Sequence, residues 1–284
     1  MFRFGLRAHD FGPCETGVLA DRIASYGALC VQLALSKALP GFPASPGHLS
    51  QERARGIREI FTARGIGIAV LGCYINPIHP DAEKRELQLR RFEEHLCFAR
   101  DFGCSLVGTE TGSLNPDSSW HQDTDKAAAF DALCDSAARL ARTAERYGSI
   151  VAIEPVADQH VVSSIEKTKI LLDRIDSPAL GIIFDPVNLI PQNGLKESQA
   201  AFFRRAFEAF GSRIVAVHLK DFRLEQGRKS KIVAPAEGSG EFDFSGFFSL
   251  LKQEKPGIDV IVENTSSTTA PEALKFLGRL AAEA

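Results

Sequence analysis

Four apolar runs in the second half of this 284-residue chain each end in a side chain that can bind a metal. They are SIVAIE at Glu154, LGIIFD at Asp185, RIVAVH at His218 and DVIVE at Glu263. If the runs are neighbouring parallel strands, three carboxylates and one imidazole converge at their carboxyl ends. Oxygen donors with a single imidazole suit one divalent cation, Mn2+ before Mg2+, Co2+ or Zn2+. Four protein ligands leave room for substrate oxygens, and a carbonyl polarised by the cation makes a proton on the adjacent carbon easier to remove. A single strand-end acid is more often a buried ion pair or a cap, but four on successive strands point to a metal site.

The elements that must position these residues alternate along the whole chain. Strands are predicted at 3–7, 29–35, 66–71, 105–109, 150–154, 181–185, 214–219 and 258–263. Helices are predicted at 17–26, 46–64, 81–102, 124–147, 163–175, 195–210, 244–254 and 270–282. Strand–helix alternation without a low-complexity linker is the pattern of a parallel α/β fold, and eight strands suggest a closed (β/α)8 barrel forming a single domain over residues 1–284. Ser163 with Glu166 matches a capping box, Asp123, Thr124 and Asp125 can start a long helix, and Asp243 can start another. Gly65, Gly103, Gly148 and Gly211 fit left-handed helix ends. Parity agrees among the four runs: with the ligands inward, Ala152, Ile183, Ala216 and Ile261 also face in, and Ile153, Phe184, Val217 and Val262 face out.

Composition narrows the function classes. The chain is 44% hydrophobic and 24% charged, with net charge −3 and pI near 6.2. No basic excess is available to neutralise a phosphate backbone, so no nucleic-acid partner is expected. MFRFGLRAHDFG lacks signal-peptide character and no run is long enough to span a bilayer, so no membrane partner and a cytoplasmic location are expected. The cysteines, Cys14, Cys30, Cys73, Cys97, Cys104 and Cys134, contain no CxxC pair and read as reduced thiols. GSGEFDF at 238–244 lacks GxGxxG spacing between a strand and a helix, and no GxxxxGK[ST] loop occurs, so no nucleotide cofactor is implied.

Seven motifs, IEP at 153–155, FDPVN at 184–188, VHLKD at 217–221, GSGEFDF, VEN at 262–264, GCYINP at 72–77 and VGTETG at 107–112, carry a resemblance over nearly the whole chain. In order and spacing the chain resembles the xylose-isomerase-like TIM-barrel superfamily, which includes D-tagatose 3-epimerase-like sugar isomerases and epimerases as well as endonuclease IV. The resemblance implies that Glu154, Asp185, His218 and Glu263 hold one divalent metal. It also implies that Glu154 and Glu263 are an acid–base pair on opposite faces of a small sugar or sugar phosphate, moving a proton through a metal-stabilised enediolate. It allows the same enolisation on a 3-keto-glycoside, ending in C4 epimerisation or loss of an aglycone. Barrels of this kind commonly form a homodimer or homotetramer, and the sequence leaves the oligomeric state open. An endonuclease IV-like repair enzyme would need several zinc ions, more strand-end histidines and a basic face.

Two positions leave the epimerase pattern: Asn188 stands where many have histidine, and His160 where many have glutamate. Both are candidate substrate contacts. Others at the predicted catalytic face are Lys220 and Arg223 after the histidine ligand, Glu110, Trp120 and His121 in the loop TETGSLNPDSSWHQD, His9 after the first strand, and Asn76 and His79 after the third.

Overall fold

In a computed structural model of the chain, which describes residues 2–284, eight parallel strands close into one barrel. They are β1 (Arg3–Arg7), β2 (Cys30–Leu33), β3 (Gly67–Gly72), β4 (Leu106–Glu110), β5 (Ile150–Glu154), β6 (Leu180–Phe184), β7 (Ile214–Leu219) and β10 (Asp259–Val262). β1 pairs with β2 on one side and with β10 on the other, which seals the ring. A separate antiparallel hairpin, β8 (Asp221–Glu225) and β9 (Arg228–Val233), is inserted directly after β7. The main helices α1 (Thr16–Ser25), α3 (Gln51–Thr62), α4 (Ala82–Phe98), α5 (Ala127–Tyr147), α6 (Ile165–Ile175), α8 (Gln199–Phe210), α9 (Phe244–Glu254) and α10 (Ala270–Glu283) follow the strands. Two single-turn helices, α2 (Leu35–Ala38) and α7 (Pro186–Leu189), sit in strand-to-helix connections.

Parity holds where contacts report it. A Cβ on Gly108 would come within 2.9 Å of Ile183 and Val70, so these three share the crowded barrel interior. Phe184, the next residue along, packs outward with ring centroids 6.0, 5.6 and 6.0 Å from Phe207, Phe210 and Phe247. The phenylalanines of α8 and α9 thus clamp the strand that ends at Asp185. Both faces of β6 are buried, as a parallel barrel strand requires.

Several local expectations are corrected. The hairpin was not anticipated, because its charged run RLEQGRKSK shows little alternation and Gln226–Gly227 is its only turn signal. β2 ends before Leu35 because the chain turns into α2. Ser164, not Ser163, caps α6, accepting a hydrogen bond from the Lys167 amide at 3.2 Å. α5 starts at Ala127 after an uncapped Lys126, while the Thr124 hydroxyl accepts from the Leu114 amide at 3.2 Å and Asp125 lies 2.7 Å from Lys167. Gly65, Gly103 and Gly148 have φ of 73°, 75° and 63°, whereas Gly211 is right-handed at −54°. Asp243 caps α9 as expected.

All six cysteines are free. Among the described residues no helix is long and apolar enough to cross a membrane. The outward clamp gives a direct test: Phe184→Ala leaves a void among three rings and is expected to destabilise the chain by about 3–5 kcal/mol. Urea unfolding followed by circular dichroism measures it, and a loss below about 1 kcal/mol would refute the clamp.

Candidate metal centre and active-site pocket

Glu154 is the last residue of β5, Asp185 follows β6, His218 lies near the end of β7, and Glu263 follows β10. One donor atom from each lies within 4.8 Å of the others, and all four residues are buried. β5, β6, β7 and β10 are consecutive in the ring, so the ligands occupy one contiguous sector. Asp185 also caps α7, accepting from the Asn188 amide at 2.9 Å, which fixes the backbone leaving the strand.

The imidazole is oriented from behind. His218 Nε2 lies 2.6 Å from Gln32 Oε1, and the Gln32 amide nitrogen donates to Tyr74 Oη at 2.6 Å. Gln32 therefore presents an acceptor, which places a proton on Nε2 and turns Nδ1 toward the acids. Nδ1 is 3.0 Å from both Glu154 Oε2 and Glu263 Oε1. His218 Nδ1 and Asp185 Oδ2 are buried without an aligned hydrogen bond. Two orphaned donors converging with two further carboxylates fit a small divalent cation of the oxygen-preferring kind with one nitrogen ligand.

Two cations grip the acids. Lys220 Nζ donates to Glu263 Oε2 at 2.7 Å and lies 2.6 Å from Asp185 Oδ2 as an ion pair. Arg7 lies 3.2 Å from Glu263 Oε1 and 3.0 Å from Asp10. Burial alone would raise the Glu263 carboxyl pKa, but Lys220 and His218 hold it well below the usual range. Burial would lower that of His218, and the Glu154 and Glu263 charges instead lift it to about 10. On the other side, Asn188 donates to Glu154 Oε1 at 2.5 Å.

Above the cluster lies a cavity of about 540 Å³, within the usual range for small-molecule sites. Of the residues expected there, His9, Asn76, Glu110, Glu154, His160, Asn188, Lys220 and Glu263 line it. Burial, then the charges of Glu154 and Glu263, push the Glu110 carboxyl up to about 7. His160 is buried, with Nε2 3.2 Å from the Ser118 carbonyl and 3.7 Å from Glu110. Burial, reinforced by Arg7 and Lys37, holds His9 down to about 3, so it faces the cavity neutral. The Asn76 amide donates to the Ser113 and Asn115 carbonyls at 2.9 and 2.8 Å, so it braces the loop beside it.

Four expected contacts lie elsewhere. Trp120 is 64% exposed and outside the cavity, because its loop folds so that Pro116, Asp117 and Ser118 reach the opening instead. His121 Nδ1 accepts from the Asp123 amide at 3.1 Å. Arg223, on the outer hairpin, donates to the Ser239 carbonyl at 2.7 Å. The His79 ring accepts from the Asp81 amide at 3.1 Å at the start of α4.

The structure adds Arg7, Gln32, Lys37 and Tyr74 to the site. Gln32 carried a readable signal, as the lone amide within the apolar run ALCVQLAL. The hairpin contributes Ile232 to the wall and is pinned by Lys229, whose Nζ donates to the Val187 and Ile190 carbonyls at 2.9 and 2.7 Å. Asp221 ties GSGEFDF beneath it, accepting from the Phe222 and Phe242 amides at 2.8 and 3.0 Å.

A family model described as a xylose isomerase-like TIM barrel matches residues 20–280. A search of curated proteins finds no significant match. Among solved structures, the apo form of the 3-keto-D-glucoside 4-epimerase YcjR from E. coli superposes with a TM-score of 0.73 at 17% identity, covering 98% of this chain and 100% of that one. A xylose isomerase-like TIM barrel protein from Mycobacterium smegmatis in complex with magnesium gives 0.74 at 16% identity, covering 99% and 97%. An L-ribulose 3-epimerase gives 0.75 at 14% identity, covering 100% and 95%. At these identities the likeness is one of fold.

The His218 environment would set the pH dependence of cation uptake at this candidate site. A cation at Nδ1 competes with the proton that Glu154 and Glu263 retain there, so affinity for Mn2+ is expected to rise with pH toward about 10, with proton release on binding. Calorimetric titration in two buffers of different ionisation enthalpy measures both, and pH-independent uptake without proton release would contradict the assignment of Nδ1.

Proposed function

The chain belongs to the xylose isomerase-like TIM barrel family, and from that premise we propose that it is a divalent-metal-dependent isomerase or epimerase of small sugars or sugar phosphates. The observation that carries this reading is the pair of glutamates, one from β5 and one from β10, three places apart in the ring and each 3.0 Å from His218 Nδ1. Glu154, Asp185, His218 and Glu263 would hold the cation. When bound, it supplies positive charge that polarises a substrate carbonyl and its neighbouring hydroxyl.

The remaining work falls to the chain's own groups. One glutamate takes the proton from the carbon next to the carbonyl, and the other returns a proton to the opposite face. Their settings differ: Lys220 and Arg7 stabilise charge on Glu263, whereas the Asn188 amide orients Glu154. His9, His160 and Glu110 offer hydrogen bonds to substrate hydroxyls from the cavity wall. Three of the similar structures are named as sugar epimerases, which supports the reaction class. The endonuclease reading has less support, since among the described residues one group of four potential ligands is found and it contains one imidazole.

One observation favours a second reading, a 3-keto-glycoside epimerase or eliminating lyase on the same site. Glu110 is a third carboxyl in the cavity, paired in register with Glu154 and held up to about 7 by burial and the neighbouring acids. Such a group can hand a proton to a departing aglycone.

The test is a panel of ketoses and 3-keto-glycosides in deuterated water with Mn2+, read by NMR. Solvent deuterium is expected at the carbon beside the carbonyl, and Glu154→Gln or Glu263→Gln should slow exchange by about 10²–10⁴-fold. A stoichiometric multi-zinc cluster, cleavage of abasic DNA and no sugar exchange would overturn the reading. Under the second reading, Glu110→Gln is expected to reduce aglycone release at least about tenfold while leaving deuterium exchange within a few-fold of the parent. Equal loss of both would assign Glu110 to substrate binding.

A further inference from the structure

The wall of the cavity facing the ligand sector is built from β1, the turn after β2 and the loop after β3, and it centres on one aromatic ring. Two side chains are arranged on the Tyr74 ring. Lys37 holds Nζ 4.0 Å over the ring centroid, and the His9 ring meets it edge-on with centroids 5.7 Å apart. The Tyr74 hydroxyl is fixed by Gln32, which also fixes His218, so this wall is tied rigidly to the ligand cluster.

Charge on the cavity wall is unevenly committed. Arg7 is taken by Asp10 and Glu263, and Lys220 by Asp185 and Glu263. A dication, with Arg7 and Lys220, would balance Asp10, Glu154, Asp185 and Glu263. Of the remaining acids on the wall, Glu110 faces His160, and Asp117 accepts from the Ser119 amide at 3.0 Å. Lys37 has neither an ion-pair partner nor a hydrogen-bond acceptor for its ammonium among the described residues. Lys37 is an exposed side chain whose ammonium faces solvent, and a cation held over a ring face beside a cavity is placed to meet an anion arriving from there.

We propose that Lys37, presented on the Tyr74 ring with His9 beside it, is the subsite for an anionic group on the substrate, a phosphate ester or a carboxylate. The oxygens of that group accept from the Lys37 ammonium, while the carbonyl end lies toward Glu154 and Glu263. This deepens the sugar-isomerase reading and rests on it only for the chemistry at the other end of the cavity. It places selection of charged over neutral sugars on the first three strands, away from the proton-transfer pair.

Binding of non-enolisable probes to the Mn2+-loaded protein tests this without turnover. Calorimetry would compare D-glucitol with D-glucitol 6-phosphate and with D-gluconate, on the parent, Lys37→Met and Lys37→Arg. At least one anionic probe is expected to bind about tenfold or more tightly than D-glucitol, with the advantage lost in Lys37→Met and largely kept in Lys37→Arg. Which probe gains identifies the phosphate or the carboxylate. Equal binding of all three, or an anionic advantage that survives Lys37→Met, would overturn the proposal. D-fructose and D-fructose 6-phosphate exchange in deuterated water separates the two claims. Lys37-dependent anion binding without exchange of any sugar in the wider panel would remove the isomerase reading and leave the subsite. Exchange of neutral ketoses with Lys37-independent binding would do the reverse.

Discussion

Holding three carboxylates within a few ångströms of one another in a buried site is the constraint around which the molecule is organised. Like charges so placed repel strongly at low effective dielectric, and each also loses its hydration. The chain answers with Lys220 threaded between Asp185 and Glu263, Arg7 against Glu263, and an imidazole that its neighbours hold charged. A divalent cation is the natural completion of that set, since it would coordinate the two donor atoms that have charged neighbours but no aligned hydrogen bond. The same repulsion reaches the next strand, where it helps to keep the Glu110 carboxyl partly protonated near neutrality.

Such a cluster demands a rigid frame. Each ligand sits at or just past the end of a strand buried on both faces, and the outward side of β6 is locked by aromatic rings from two helices. Behind His218, the Gln32–Tyr74 pair fixes tautomer and rotation at once, linking strands on both sides of β1. Position within the cluster is therefore set by long-range packing, whereas the cavity walls are made by short connecting segments.

That division explains what could be read in advance. The barrel, its eight strands and the four converging ligands follow from periodicity and from a polar residue closing each apolar run. Those signals are local and repeat. Asn188 and His160 were legible as candidates through the family resemblance, as the two positions beside strand ends that leave the epimerase pattern. Trp120, His121 and Arg223 were misplaced because a loop's path depends on backbone turns and bracing contacts, here Asn76 and Ser239, that leave no periodic trace. Arg7 and Lys37 escaped notice for a related reason. Charged residues in the first half of the chain look like ordinary surface groups until ring closure brings β1 and β2 around to the ligands.

The inserted hairpin after β7 has a bearing on how this site can diversify. It supplies Ile232 to the cavity, is held down by Lys229 through backbone carbonyls, and begins three residues beyond His218 of the candidate metal cluster. Because its anchors are main-chain atoms, its tip and facing residues can change in length and chemistry with little penalty to the barrel. Selection can thus reshape one wall of the cavity while the charge-balanced cluster beneath it stays intact, so that new ligands become accessible by remodelling a flap rather than rebuilding a barrel.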